Sequence, residues 1–272
     1  MTFRASRLPR SPRLPRVAFA LALVAGALTM PGAARADGPS ADEIAKKTLE
    51  HDTFGFEGTQ IKARLVLFEA DGRSQERAFE GISKKGADSL IRSVIRFTGP
   101  ANIAGTSFLM VQHQGAPDEQ HIYLPRMKST RRIGGTGERE GSFMGSDFSY
   151  ADLERKDLRE ATYARLPDEA IGKDGCFHIE AVPKTASSYG KLSLWIRQKD
   201  FLPLRVQMFD KDGKLLKTTF TKRIKDIDGK PVVVETHTEN AQTSHKTDLV
   251  IDEIQFKPDL SDALFTPAAL SH

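Results

Sequence analysis

The stretch that decides the fold class is Ile61-Lys62-Ala63-Arg64-Leu65-Val66-Leu67-Phe68, followed three residues later by Asp71-Gly72. Ile61, Ala63, Leu65 and Leu67 alternate with Lys62, Arg64, Val66 and Phe68, the period of two that a β-strand shows and a helix does not. Asp-Gly supplies the positive φ that a tight hairpin turn demands. Three further Asp-Gly pairs stand at 174–175, 212–213 and 228–229, between runs of the same kind. Strands are expected at Ser89–Phe97, Ser107–His113, His121–Leu124, Cys176–Val182, Leu192–Ile196, Leu204–Phe209, Leu215–Lys225, Val232–Glu239 and Thr247–Phe256. With Ile61–Phe68 that makes about ten strands in an antiparallel meander, without the alternating helices a parallel sheet needs. One helix is expected near Ala41–Glu50, because Ser40 and Glu43 form a capping box.

Several strands are apolar on both faces at their centres. Leu65-Val66-Leu67-Phe68, Phe108-Leu109-Met110-Val111 and Val232-Val233-Val234 lack the alternation of a sheet with one wet side. Two architectures fit: a two-sheet sandwich, or a curved sheet holding helices or a ligand in its hollow.

At 272 residues, 39% hydrophobic and 28% charged, the chain has the composition of a globular protein. Its formal charge of +4 is misleading. Residues 1–36 carry six arginines and no acid, which leaves 34 basic against 36 acidic side chains beyond them, a net charge of −2. Nucleic acid is therefore not an expected partner, since non-specific affinity for it needs a basic surface. The uncharged run Val17–Met30 follows that arginine-studded leader, and Ala34-Arg35-Ala36 supplies a small-residue cleavage site. This order predicts a secretory signal peptide over residues 1–36, cut after Ala36, and one domain over 37–272 located in the periplasm. Fourteen apolar residues are too few for a spanning helix, which needs roughly 20.

Catalytic and cofactor motifs do not assemble. Gly135-Thr136-Gly137 lacks the third glycine and the βαβ setting of a nucleotide loop, and no nucleophile elbow occurs. The seven histidines are scattered without metal-ligand spacing, and Cys176 stands alone. Asp152, Glu154 and Asp157 read as a solvated helix or turn, with Ser149 and Asp152 marking a helix start. No enzyme, cofactor or metal is expected.

The least regular segment is the most informative. After Tyr123-Leu124-Pro125 come the cations Arg126, Lys128, Arg131 and Arg132, a glycine-rich stretch over Gly134–Gly145, and the apolar Phe143, Met144, Phe148 and Tyr150. The run Tyr123-Leu124-Pro125, then Arg131-Arg132-Ile133, then Gly141-Ser142-Phe143-Met144-Gly145-Ser146-Asp147-Phe148-Ser149-Tyr150 with Asp152-Leu153, resembles the outer-membrane lipoprotein-sorting protein family, the LolA-like periplasmic lipid and lipoprotein carriers. The likeness continues through Cys176–Pro183, Leu194-Trp195-Ile196, Leu202–Val206 and Asp212–Thr218 to Asp262–Pro267. The resemblance implies an open, strongly curved half-barrel sheet with helices or a lid on its concave face, and a role as carrier or acceptor of acyl chains. It implies as partners an inner-membrane transporter or an outer-membrane acceptor. An adaptor or sensor for an envelope transporter or stress regulator is the alternative on the same fold.

Physical chemistry points the same way. A buried methylene is worth about 0.8 kcal/mol, so a sixteen-carbon chain carries on the order of 10 kcal/mol of transfer cost into water. A carrier must offer an equivalent apolar surface and hide it when empty. The residues expected to line such a hollow or its lid are Leu65, Leu67, Phe108, Met110, Phe143, Met144, Phe148, Trp195 and Met208, the methionines because they adapt to irregular tails. Arg126, Lys128, Arg131 and Arg132 are candidates for contact with a headgroup or a partner.

Overall fold

The computed structural model describes residues 38–50, 58–114, 116–154, 156–256 and 259–272, and Pro39–His272 form one compact unit. The expected signal peptide with its cleavage residues Ala34 and Ala36 lies outside the described residues. The first element is helix α1, Ala41–Glu50. Its capping box closes as expected: the Glu43 N–H donates to Ser40 Oγ at 3.2 Å, and the Ser40 N–H donates to Glu43 Oε2 at 2.8 Å.

Thirteen strands follow among the described residues. They are β1 Thr59–Phe68, β2 Ser74–Lys85, β3 Ile91–Phe97, β4 Ser107–Val111, β5 Glu119–Leu124, β6 Ser129–Arg132 and β7 Ala161–Ile171, then β8 Asp174–Pro183, β9 Lys191–Arg197, β10 Pro203–Phe209, β11 Leu215–Ile227, β12 Lys230–Asn240 and β13 Lys246–Phe256. All pair antiparallel in one open sheet of order β6-β5-β4-β3-β2-β1-β13-β12-β11-β10-β9-β8-β7. Among the described residues neither a sandwich nor a parallel sheet forms.

The ten expected strands are present, and three more join them. β2 reads as polar because Ser74, Glu76 and Glu80 point outward and are exposed while Gly81 and Ser83 take inward positions beside Phe79. Gly81 is needed there, since a Cβ would sit 3.0 Å from Ile61 Cγ1. β7 contains Pro167, and the β7–β8 register shifts between Leu166 and Glu169 around it, which an edge strand tolerates. β6 is four residues long and wholly exposed. Three of the four Asp-Gly pairs sit in hairpin turns, and Asp228 and Gly229 both take positive φ (54° and 74°) in the β11–β12 turn. The fourth, Asp174-Gly175, lies inside β8, because Gly172-Lys173 makes that turn instead.

The strand order dictates one further feature. The chain starts at the centre of the sheet with β1, steps out to one edge at β6, then resumes at the opposite edge with β7 and steps back to β13. The segment between Ile133 and Glu160 must therefore cross the whole sheet. It does so over the face that carries Ile61, Ala63, Leu65 and Leu67, hereafter the inner face, and holds helices α2 Thr136–Arg139, α3 Tyr150–Glu154 and α4 Lys156–Arg159.

The inner face carries two apolar clusters. One joins β1–β5, β12 and β13 under Ile133 and Phe143, with Phe148, Tyr150 and Leu153 against it. The other joins β7–β10 with Ala41, Ile44 and Ala45 of α1, and Leu158 packs on it. The outer face of β2–β5 has its own cover, since Phe265 and Leu270 of the C-terminal segment pack on Val94 and Leu109. This explains why those strand centres are apolar on both sides.

Candidate functional site

The crossing segment is pinned before it reaches the middle of the sheet. The Phe143 ring meets those of Phe108, Tyr150 and Phe97 at centroid distances of 5.4, 5.5 and 5.8 Å. Residues 141–149 form a self-bonded turn: the Phe143 N–H donates to the Phe148 carbonyl at 2.7 Å, and Ser146 Oγ donates to the Phe143 carbonyl at 2.7 Å. Met144 and Gly145 take φ of 53° and 81° at its tip. Asp147 then anchors the turn to the sheet, accepting Thr247 Oγ1 at 2.7 Å and lying 2.7 Å from His245 Nδ1. On either side of this turn, Arg139 pairs with Glu154 and donates to the Asp118 carbonyl at 2.6 Å, and Arg159 pairs with the Asp118 carboxylate. Asp118 is 1% exposed as a side chain, so this network fixes both ends of the segment to the β4–β5 loop.

Between the two apolar clusters the sheet turns polar. β11 points Lys217, Thr219 and Thr221 inward, and β12 points Thr236 and Thr238 inward beside them. Over this strip lies a cavity of about 310 Å³, at the small end of ligand pockets. Its walls are Leu153 and Leu158 of the crossing segment, and Leu192, Val206, Met208, Leu249 and Ile251 of the sheet. Three of these threonines are internally satisfied, Thr219 Oγ1 with Thr238 Oγ1 at 2.9 Å and Thr221 Oγ1 donating to the Pro203 carbonyl at 2.6 Å. The hollow thus presents hydrocarbon walls and a floor with few free hydrogen-bonding groups.

One corner is ionic. Lys217 Nζ donates to Asp152 Oδ2 at 2.6 Å and to the Asp147 carbonyl at 2.9 Å, and the Tyr189 hydroxyl donates to Asp152 Oδ1 at 2.7 Å. The two charged side chains are only 9% and 14% exposed. Ser149 and Asp152 do start α3 as a capping box, but Asp152 and Glu154 are paired and mostly buried, where the sequence suggested a solvated helix.

Of the residues expected at a hollow or lid, Phe148 and Met208 line the cavity. Leu65, Leu67, Phe108, Met110 and Phe143 belong to the buried cluster beside it, and Met144 packs on its edge. Trp195 lies on the outer face with Cys176 and Leu204, its ring stacked on His178 at 4.2 Å and covered by Arg205 at 3.5 Å. Its Nε1 donates to Glu169 at 2.9 Å. Arg126, Lys128, Arg131 and Arg132 are exposed at the β6 edge, and none of them lines the cavity. Missing from the expectation were Lys217, Thr219, Thr221, Thr236, Asp152 and Tyr189. The signal for the first four is visible only in retrospect: polar residues at the inward parity of two strands that neighbour apolar ones.

The outer cluster makes a pH prediction. Burial is the main cause of a lowered His178 pKa, opposed by Glu169 and reinforced by Arg205. The unfolded chain then takes up this proton more readily than the folded one, so the contribution is present above the ordinary histidine pKa and is lost as pH falls through the lower, folded value. Thermal melts from about pH 7 to about pH 5 should show a loss of stability that is smaller in His178→Gln. Parallel pH profiles for the two proteins would contradict the assignment. Cys176 is likewise buried, and desolvation raises its thiol pKa, which leaves it unreactive.

Among the described residues, no group of His, Cys, Asp and Glu is placed to hold a metal ion, and no helix is long and apolar enough to cross a membrane.

Comparison with known proteins places this architecture. A family model described as "Uncharacterized protein" matches residues 90–272, two thirds of the chain. No curated protein matches the sequence. Among solved structures, a domain from Vibrio parahaemolyticus described as an outer membrane lipoprotein-sorting protein superposes with a TM-score of 0.79 at 27% identity, over 86% of this chain and 98% of that one. A DUF1329 family protein from Desulfovibrio piger gives 0.78 at 27% identity, over 86% of this chain and all of the other. A LolA superfamily protein from Nitrosomonas europaea gives 0.68 at 20% identity, over 84% and 98%, a likeness of fold.

Proposed function

The chain belongs to the family whose model spans residues 90–272, and on that premise we propose that it acts in envelope lipid or lipoprotein traffic as a periplasmic carrier or acceptor of acyl chains. The observation that carries this reading is the apolar cavity between the two inner-face clusters, roofed by the crossing segment. The fold shared with the Vibrio lipoprotein-sorting domain supports it. Leu153, Leu158, Leu192, Val206, Met208 and Leu249 offer a tail the apolar surroundings that water denies it, with Phe148 at the rim of the roof.

The roof must shift for a long chain to enter, because about 310 Å³ is a small space for one. The Lys217–Asp152–Tyr189 contacts bridge roof and floor, and Asp147 bridges roof and β13. These polar ties let the roof close over hydrocarbon without exposing an apolar patch to solvent.

Native mass spectrometry of gently purified protein, with lipid extraction, tests the proposal. A bound acyl species, or saturable uptake of a fluorescent fatty acid, is the expected result. Protein free of lipid that also takes up no fatty acid would overturn it.

A further inference from the structure

The four exposed cations singled out in the sequence are gathered at one corner of the sheet by local geometry. Arg126 and Met127 stand on a 3-10 turn, Pro125–Met127, and Lys128 follows in the left-handed region at φ 47°. The chain then enters the edge strand β6, where Arg131 lies opposite Ile122 and Arg132 opposite His121, so the two arginines fall on opposite sides of the sheet edge. Arg131 Nη1 lies 3.0 Å from Glu138 Oε1. The side chains of Arg126, Lys128 and Arg132 make no hydrogen bond or ion pair with the described residues, although the hydrogen bond from His121, helped by the charge of Arg132, holds the Glu119 carboxyl below its usual range. Met127 is 68% exposed, the most exposed large hydrophobic side chain of the described residues. All this sits on a chain whose net charge beyond residue 36 is −2, so the positive charge is a local concentration.

We propose that this corner, Arg126-Met127-Lys128 with Arg131 and Arg132, is a peripheral docking surface for an anionic phospholipid bilayer. The cations meet lipid phosphates and Met127 enters the interface as an apolar anchor. An added peptide strand is the poorer occupant. β6 offers only four residues, and charged side chains on a short edge are the arrangement that resists strand addition. The surface shares no residue with the cavity lining, so docking and acyl binding are testable with different variants.

The test is co-sedimentation of the chain from Asp37 with vesicles of phosphatidylglycerol and phosphatidylethanolamine, against vesicles of phosphatidylcholine alone. Binding to the anionic vesicles that weakens with added salt is expected. The triple variant Arg126→Gln, Lys128→Gln, Arg132→Gln should bind about a hundredfold more weakly, roughly fivefold per cation. Met127→Ala should lose about tenfold with no change of charge. A charge-matched control, Lys211→Gln, Lys214→Gln, Lys222→Gln, should bind as the parent does. Equal binding to both vesicle types, or equal loss in the control, would overturn the proposal. So would binding to polyglutamate but not to vesicles, which would make the partner a protein. Val206→Phe, which fills the cavity, should still dock; vesicle binding lost in that variant alone would mean that the cavity, and not this corner, holds the lipid.

Discussion

Val206→Phe is expected to lower uptake of a sixteen-carbon fatty acid by about a hundredfold while leaving the fold intact. Val206 sits at the centre of β10, paired with Leu194 and Thr219, and its side chain faces the cavity. A phenyl ring there occupies space that a tail would otherwise fill. Displacing about four methylenes at ~0.8 kcal/mol each gives that factor. Phenylalanine is a good strand former, and the hollow has room for it, so the cost to stability should stay below about 2 kcal/mol. Isothermal titration together with a thermal melt checks both halves. Uptake unchanged beside an unchanged melt would mean that tails bind elsewhere. A collapse of the melt would mean that the hollow is tighter than described, and Val206→Ala, which widens it, should then raise uptake.

The second large effect concerns stability. Lys217→Met leaves the Asp152 carboxylate buried beside Tyr189 without its cation. Removing one partner of a buried pair costs about 3–5 kcal/mol, which for a chain of this size lowers the melting temperature by about 10 °C or more. Adding Asp152→Leu to Lys217→Met should recover much of that loss, because apolar replacement of both partners removes the orphaned charge. Recovery will be incomplete, since Asp152 also caps α3 through the Ser149 N–H at 2.6 Å. A single variant as stable as the parent would show the corner to be hydrated and the pair unimportant.

How far the molecule could be read from its sequence depended on which side chains carry the signal. β1 was legible because four apolar residues mark its inner face. β2 was not, because Gly81 and Ser83 occupy inward positions and contribute no hydrophobic period. Pro167 hid β7, although the bulge it sits in is what an edge strand permits. The crossing segment was recognisable as special, yet the reason lies in topology: the chain must travel from the β6 edge to the β7 edge, and no local pattern states that.

The cavity shows the same limit more sharply. Large apolar residues attract attention, but Leu65, Leu67, Phe108, Met110 and Phe143 pack into a filled cluster, and space opens where the inward residues are threonines. Trp195 shows that size misleads where parity does not. Its β9 neighbours Leu194 and Ile196 face inward, so strict alternation sends the ring to the outer face between His178 and Arg205. The basic corner needed no topology to be noticed, since its residues lie within seven positions of one another.

Photo-crosslinking with a diazirine-bearing palmitate, followed by peptide mapping, tests acyl binding in the hollow most directly. Labels should fall on β9, β10, β11 and β13 at Leu192, Val206, Met208, Thr219 and Leu249, with Leu153 or Leu158 of the roof. Labels confined to the outer face around Trp195 or to the β6 corner, at saturating probe, would contradict it.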